Sequence, residues 1–126
     1  LSAFADARET IALDLESLYP GRTVYRWYPP GAPVVPCVIV APDETTPVEA
    51  SGHSRYNYSL KISVISSAQI PEANAIAALE DDLETLLAWA GPIARNINIG
   101  PARYGDATVY AVGLTIPYPV QIPSGD

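Results

Sequence analysis

The sequence predicts an α+β domain: a single, mostly antiparallel sheet with two helices packed on one face, in the order α-β-β-β-α-β-β. Three observations predict it. The stretch "SRYNYSLKISVISS" (54–67) alternates, with Tyr56, Tyr58, Leu60, Ile62 and Val64 on one side and Asn57, Ser59, Lys61 and Ser63 on the other. Two separate segments each carry one apolar stripe at helical spacing. Two such helices need one apolar sheet face to cover, and the alternating strand offers one while leaving its other face wet.

The elements follow in chain order. Residues 3–18 read as a helix, because Phe4, Ala7, Ile11, Leu15 and Leu18 keep one face, and "YPG" (19–21) ends it. Residues 23–28, "TVYRWY", read as a strand from their β-branched and aromatic content. Residues 37–41, "CVIVA", are a short apolar run expected to form a buried strand, and the polar segment 43–53 reads as a long connection. The alternating strand occupies 55–65. Pro71 and Glu72 suit a helix first turn. The stripe Ile76, Leu79, Leu83, Leu86, Leu87 and Ala90 then runs to the stop signal "GP" at 91–92. Residues 95–99 and 108–116 read as two further strands joined by "GPARYGD", with Tyr110, Val112, Leu114 and Ile116 on one face of the second. Residues 1–118 are read as one domain and 119–126 as a proline-rich tail.

Composition narrows the function classes. With 126 residues the chain suffices for one core without staples, and 48% hydrophobic content argues against disorder. A net charge of −7 argues against general nucleic-acid binding, which needs a basic surface to displace counterions. Cys37 is the single cysteine, so neither an internal disulfide nor a cysteine-based zinc site is expected. No apolar run approaches the ~20 residues of a membrane span, so no membrane partner is expected. The opening "LSAFADARET" lacks signal-peptide character. Leu1 is not an initiator methionine, and residues preceding it are expected. The thirteen prolines, about twice the usual share of ~5%, gather in 28–36, 42–47 and 117–126, which read as loops and a tail.

No catalytic constellation emerges, and no cofactor is expected. Glu80, Asp81, Asp82 and Glu84 diverge around the second helix rather than converge, and read as a solvated face. His53 sits in the Gly/Ser-rich "ASGHSR" and Cys37 opens an apolar run, so a Cys–His pair has no local support. Phosphate-cradling loops, GxSxG and HExxH are absent from the sequence. The basic residues are scattered; Arg26 beside Trp27 and Tyr28, and Arg103 beside Tyr104, suit a protein interface better than a nucleic-acid grip in so acidic a chain. Leu13 points away from the first helix's stripe, and Trp89 lies about 100° from the centre of the second. With Trp27, Tyr28, Pro30, Arg103 and Tyr104 they are the candidate subunit or partner interface, since large rigid side chains serve such surfaces.

The arrangement resembles the tail terminator (tail completion, or neck) proteins of long-tailed bacteriophages. The resemblance lies in an opening amphipathic helix ending in "LYPG", a strand running into "WYPPGAPVVPCVIV", a polar connection, a long alternating strand, and the Ala/Leu-rich helix "EANAIAALEDDLETLLAW". The proline-rich C-terminal segment and the acidic second helix depart from the pattern. The resemblance implies a non-enzymatic virion protein, assembled in the host cytoplasm, whose copies form a sixfold ring. The ring caps the tail tube protein, joins the head–tail connector proteins, and meets DNA only as it passes through the channel. An anionic channel lining would repel phosphates, so Asp43, Glu44, Glu49 and Asp81 are candidate channel-facing acids. The 43–54 connection is expected to order against a neighbouring subunit or the tube. Rival readings are a related head-completion or tube subunit, a monomeric protein- or peptide-binding module using Trp27, Tyr28 and the prolines, and a small hydrolase using Cys37 and His53.

Overall fold

Ser2 opens the first helix by accepting a 2.9 Å hydrogen bond from the Ala5 amide onto its hydroxyl, in a computed structural model that describes residues 2–31, 33–66, 72–104 and 107–123. Helix α1 spans Ala3–Leu18. The Tyr19 amide closes its last turn onto the Leu15 carbonyl, and Gly21, at φ +85°, turns the chain into strand β1 (Thr23–Tyr25). Strands β2 (Cys37–Pro42), β3 (Val48–Gly52) and β4 (Arg55–Ile65) follow, then helix α2 (Glu72–Ala90). Gly91, at φ +69°, stops α2 in the left-handed region and begins the short 3-10 turn Gly91–Ile93. Strands β5 (Arg95–Tyr104) and β6 (Ala107–Gln121) complete the chain.

The fold is the expected α+β sheet with one added strand, giving the order α-β-β-β-β-α-β-β. Strand order across the sheet is β1-β2-β4-β6-β5, with β1 parallel to β2 and every other pairing antiparallel. β4 is the spine. It pairs along its whole length with β6, from Arg55 opposite Gln121 to Ile65 opposite Ala111. Its other edge is shared: β2 takes Leu60–Ile65 and β3 takes Arg55–Tyr58.

The alternation of β4 builds the main core. Tyr58, Leu60, Ile62 and Val64 lie opposite Tyr118, Ile116, Leu114 and Val112 of β6, and this face packs under both helices. Ala7, Ile11 and Leu15 enter it from α1, and Leu79 and Leu86 from α2. Phe4 packs edge-on to Tyr58, ring centroids 5.2 Å apart, and fixes the start of α1 to β4. Each fully buried Leu or Ile here contributes about 1.5–3 kcal/mol relative to exposure.

Several expectations are corrected. Residues 48–52 of the expected connection form β3, a strand exposed along its length and held by pairing with β4 rather than by an apolar face. β1 stops at Tyr25, short of the expected 28, where the chain turns away as a loop. β5 runs on through 100–104, within the expected link, and β6 reaches Gln121, past the expected start of the tail at 119. β6 accepts Pro117 and Pro119 because β5 covers it only as far as Thr115; beyond that point β6 is an edge strand on that side. Ile76 is exposed, since burial along the α2 stripe begins at Leu79. The face away from the helices is not simply wet: Cys37, Ile39, Ala41, Ile65, Val109 and Ala111 form a second apolar cluster, with Tyr28 and Val35 of the 26–36 loop packed against it. The expected helix start at Pro71, the Gly105–Asp106 part of the link, Leu1 and the last three tail residues lie outside the described residues.

Candidate interaction surfaces

One edge of β4 carries β3, a strand exposed along its length. β2 and β3 follow the same edge, and residues 43–47 leave it as a short excursion between them. The Asp43 amide donates to the Ser59 carbonyl and the Ser59 amide to the Pro47 carbonyl, each at 2.8 Å, so the excursion is closed at its base. The Asp43 carboxylate accepts from the Thr46 amide at 3.3 Å, a local turn. Tyr28 donates its hydroxyl to Glu44 at 3.3 Å, tying the proline-rich loop to the excursion. Glu44 and Glu49 are exposed, as is Val48. The Ser54 carbonyl at the hairpin turn accepts from the Ile122 amide at 2.8 Å, so the C-terminal segment returns to the same end of the sheet.

A second surface is the corner where β1 leaves the sheet. Trp27 is 54% exposed and stands edge-on to Tyr28, with the Arg8 guanidinium 5.4 Å from its ring centroid. Arg26 holds the corner to α1: it donates to both carboxylate oxygens of Glu9 at 3.0 Å, pairs with Glu16, and donates to the Val24 carbonyl. The hydrogen bond from Arg26 lowers the Glu9 carboxyl below its ordinary range, and the hydrogen bond to Glu9 raises Arg26. Pro30 is exposed in the loop beyond, and Leu13 is exposed on the outer side of α1, as expected. Trp89 is different: it is half-buried against the core beside a groove shared with Leu18 of α1, so its side chain contributes to helix packing.

The third surface is the opposite edge, β5. Arg95 and Arg103 are exposed near its two ends. Tyr104 closes the strand opposite Ala107; its side chain lies outside the described set. Sequence reasoning missed the residues between them. Ile97 and Ile99 are each close to half exposed, as is Ile93 in the turn just before the strand. Ile99 lies opposite Val112, on the helix-bearing side, yet beyond the cover of α2. The signal was present in the alternation of "NINIG" (96–100), an apolar–polar repeat on what turns out to be an edge strand.

The acidic residues divide. Glu80, Asp81 and Glu84 are exposed on α2, away from the 43–49 acids, so the four candidate channel acids do not form one patch. Asp82 belongs to the interior: its carboxylate takes a bidentate pair from Arg22, at 2.9 and 3.0 Å, and its carbonyl accepts the Tyr19 hydroxyl at 2.7 Å. Burial raises Tyr19 far above the ordinary phenol value.

Cys37 and His53 do not meet. Cys37 lies opposite Ile65 at one end of β4, and His53 sits in the exposed turn before Arg55 at the other. The ten residue steps from 55 to 65 separate them by roughly 30 Å. Burial pushes the Cys37 thiol up to about 11, the opposite of an activated nucleophile. Among the described residues no group of three or more His, Cys, Asp or Glu is placed to hold a metal ion, and no helix is long and apolar enough to cross a membrane. No family model matches the chain, and no curated protein matches it at a significant level.

Proposed function

We propose that this chain is a structural subunit of a long-tailed phage, a tail terminator whose copies form a ring that caps the tail tube and joins it to the head connector. The observation that carries the reading is the far edge of β4. There a fully exposed strand, held by its backbone pairing with β4, and a five-residue excursion tied at its base and to Tyr28 stand out from a well-packed sheet. β3 itself brings no apolar face to the sheet, and packing against a partner would supply what the subunit does not. The pattern of the opening helix, the "WYPPGAPVVPCVIV" segment and the long alternating strand adds the family resemblance.

In this reading the surfaces act by binding, with no bond made or broken. Of the two acidic segments, α2 suits the channel better. Asp43 is occupied by its own turn and Glu44 accepts from Tyr28, whereas Glu80, Asp81 and Glu84 are exposed and make no ion pair among the described residues. An anionic lining lets DNA slide without being held. The test is electron microscopy of polymerising tail tube protein with and without the purified chain. Arrested tubes carrying a ring of density at one end support the reading; tubes that lengthen equally and end bare defeat it.

The exposed Trp27 beside Pro30 favours a second reading, a monomeric peptide-binding module. That reading requires peptide binding by a monomer, lost in Trp27→Ala with the fold intact.

A further inference from the structure

We infer that the β5 edge of one subunit docks onto the β3 edge of a second copy, a head-to-tail contact that repeats around the assembly. The inference deepens the ring reading and rests on it. Its first ground is position: β3 and β5 lie on opposite edges of one sheet, separated by β4 and β6. A contact between opposite edges is heterologous, and such contacts close into rings when the rotation closes.

Charge supplies the choice of occupant. The β5 edge carries Arg95 and Arg103, exposed and without an ion pair among the described residues. The β3 edge carries Glu49, likewise exposed and without an ion pair among them, with Glu44 exposed on the adjoining excursion. In a chain of net charge −7 holding only seven Lys and Arg, two of the cations sit on one edge and face the acids of the other only in a second copy.

Apolar surface agrees. Ile97 and Ile99 on β5, and Val48 on β3, are each more than 40% exposed. The contact is made through side chains rather than a continuous ladder, because Pro101 lacks an amide and the register shifts between Arg95 and Asn98. β3 gains most from it, since it buries nothing within its own subunit.

The experiment uses charge reversal in the full chain, read by light scattering during size-exclusion chromatography. Variant A is Arg95→Glu with Arg103→Glu; variant B is Glu44→Arg with Glu49→Arg. All four positions are exposed, and circular dichroism checks that each variant folds. Each variant alone is expected to need at least about tenfold more protein to assemble than the unaltered chain. An equimolar mixture of A and B is expected to restore assembly, since each presents the edge the other requires. In parallel, Val48→Cys and Ile99→Cys chains, mixed and treated with a short bifunctional maleimide, are expected to cross-link to each other. Undiminished assembly of A and B, or failure of their mixture together with absence of a cross-link between positions 48 and 99, overturns the contact while leaving tube capping to its own assay. An unaltered chain that stays monomeric at every concentration also overturns it, again without deciding whether the chain caps tubes.

Discussion

Arg22 and Asp82 form a bidentate ion pair, 2.9 and 3.0 Å, that joins the turn after α1 to the middle of α2. The same turn contributes a second tie, because Tyr19 donates its hydroxyl to the Asp82 carbonyl at 2.7 Å while the Arg22 guanidinium lies 5.1 Å from the Tyr19 ring centroid. Two helices distant in sequence are thereby coupled through one residue of α2. The Asp82 side chain is 11% exposed and the Arg22 side chain 23%. Removing one partner leaves the other partly desolvated and without its counter-ion.

Asp82→Ala is therefore expected to destabilise the fold by about 2 kcal/mol, below the 3–5 kcal/mol typical of fully buried pairs because water still reaches the guanidinium. Urea unfolding would report it as a lower midpoint with an unchanged slope. Asp82→Asn keeps the shape and loses the charge, and should recover only part of the loss. A change within about 0.5 kcal/mol for Asp82→Ala would reduce the pair to an incidental surface contact.

The pair also shows where sequence reasoning reaches its limit. Asp82 belongs to the run "EDDLE", and helical geometry separates it from Glu80 and Glu84 without saying what it faces. Its partners lie 60 and 63 residues away, a proximity that only the assembled fold supplies. Elements that bury one face were legible to the residue: α1 over 3–18 and β4 over 55–65 coincide with their expected bounds. β3 was not, because a strand exposed on both faces has no apolar periodicity to read; its neighbour β4 dictates its conformation. The C-terminal end of β6 was hidden by Pro117 and Pro119, which argue for loop until the absence of β5 from that side is known. Among the candidate interface residues, Leu13 and Trp27 were legible as misfits of periodicity and size. Ile97 and Ile99 were not, because alternation identifies a strand but not its place at an edge.

The Cys37 thiol should make stability fall at alkaline pH. In the unfolded chain it titrates near its ordinary 9.0, whereas burial raises it to about 11 in the fold. Above pH 9 the unfolded state therefore holds fewer protons, so stability declines as pH rises through the folded value. The loss attributable to Cys37 is on the order of 2 kcal/mol between pH 9 and 11. Cys37→Ala should flatten that part of the profile, and a thiol reagent at pH 8 should label the native chain only at the rate of unfolding. Rapid labelling of folded protein would refute the burial argument.

Gly113→Ala is expected to be costlier than a surface change. A Cβ there would stand 3.2 Å from the Ile62 carbonyl oxygen and 3.2 Å from the Asn98 side-chain oxygen. The Asn98 side chain can turn aside, but the backbone carbonyl belongs to the central β4–β6 pair and cannot. Thermal unfolding should reveal a loss of about 1–3 kcal/mol, as for other overpacked sites. Adding Asn98→Ala should relieve only a part, since the contact with Ile62 remains.

Reversing the exposed charges of α2 tests the channel assignment separately from assembly. Glu80, Asp81 and Glu84 make no ion pair among the described residues, so a triple Lys variant should keep its stability within about 1 kcal/mol. If these residues line the channel, rings of the variant should retain DNA at low salt in a gel-shift assay, with release on raising the salt. Rings of the unaltered chain should not retain it. Equal behaviour of the two rings would place α2 elsewhere on the assembly.

The β3 segment should report assembly through its amides. In the free subunit it is paired on one side only and buries no side chain, so its opening costs little and its amides should exchange rapidly. Those of β4 facing β6 lie in the core and should exchange near the rate set by global unfolding. Docking of a second copy would remove the difference, because residues 48–52 would lose their exposure to water and opening would require the subunits to part. Hydrogen exchange followed by mass spectrometry can compare the peptide covering 43–54 in dilute protein and in assemblies. Protection should rise there by at least about tenfold while peptides from α1 change little. Equal exchange of 43–54 in both states would mean that this edge faces water in the assembly, and the subunits would then be joined through the Trp27 corner or the outer side of α1 instead.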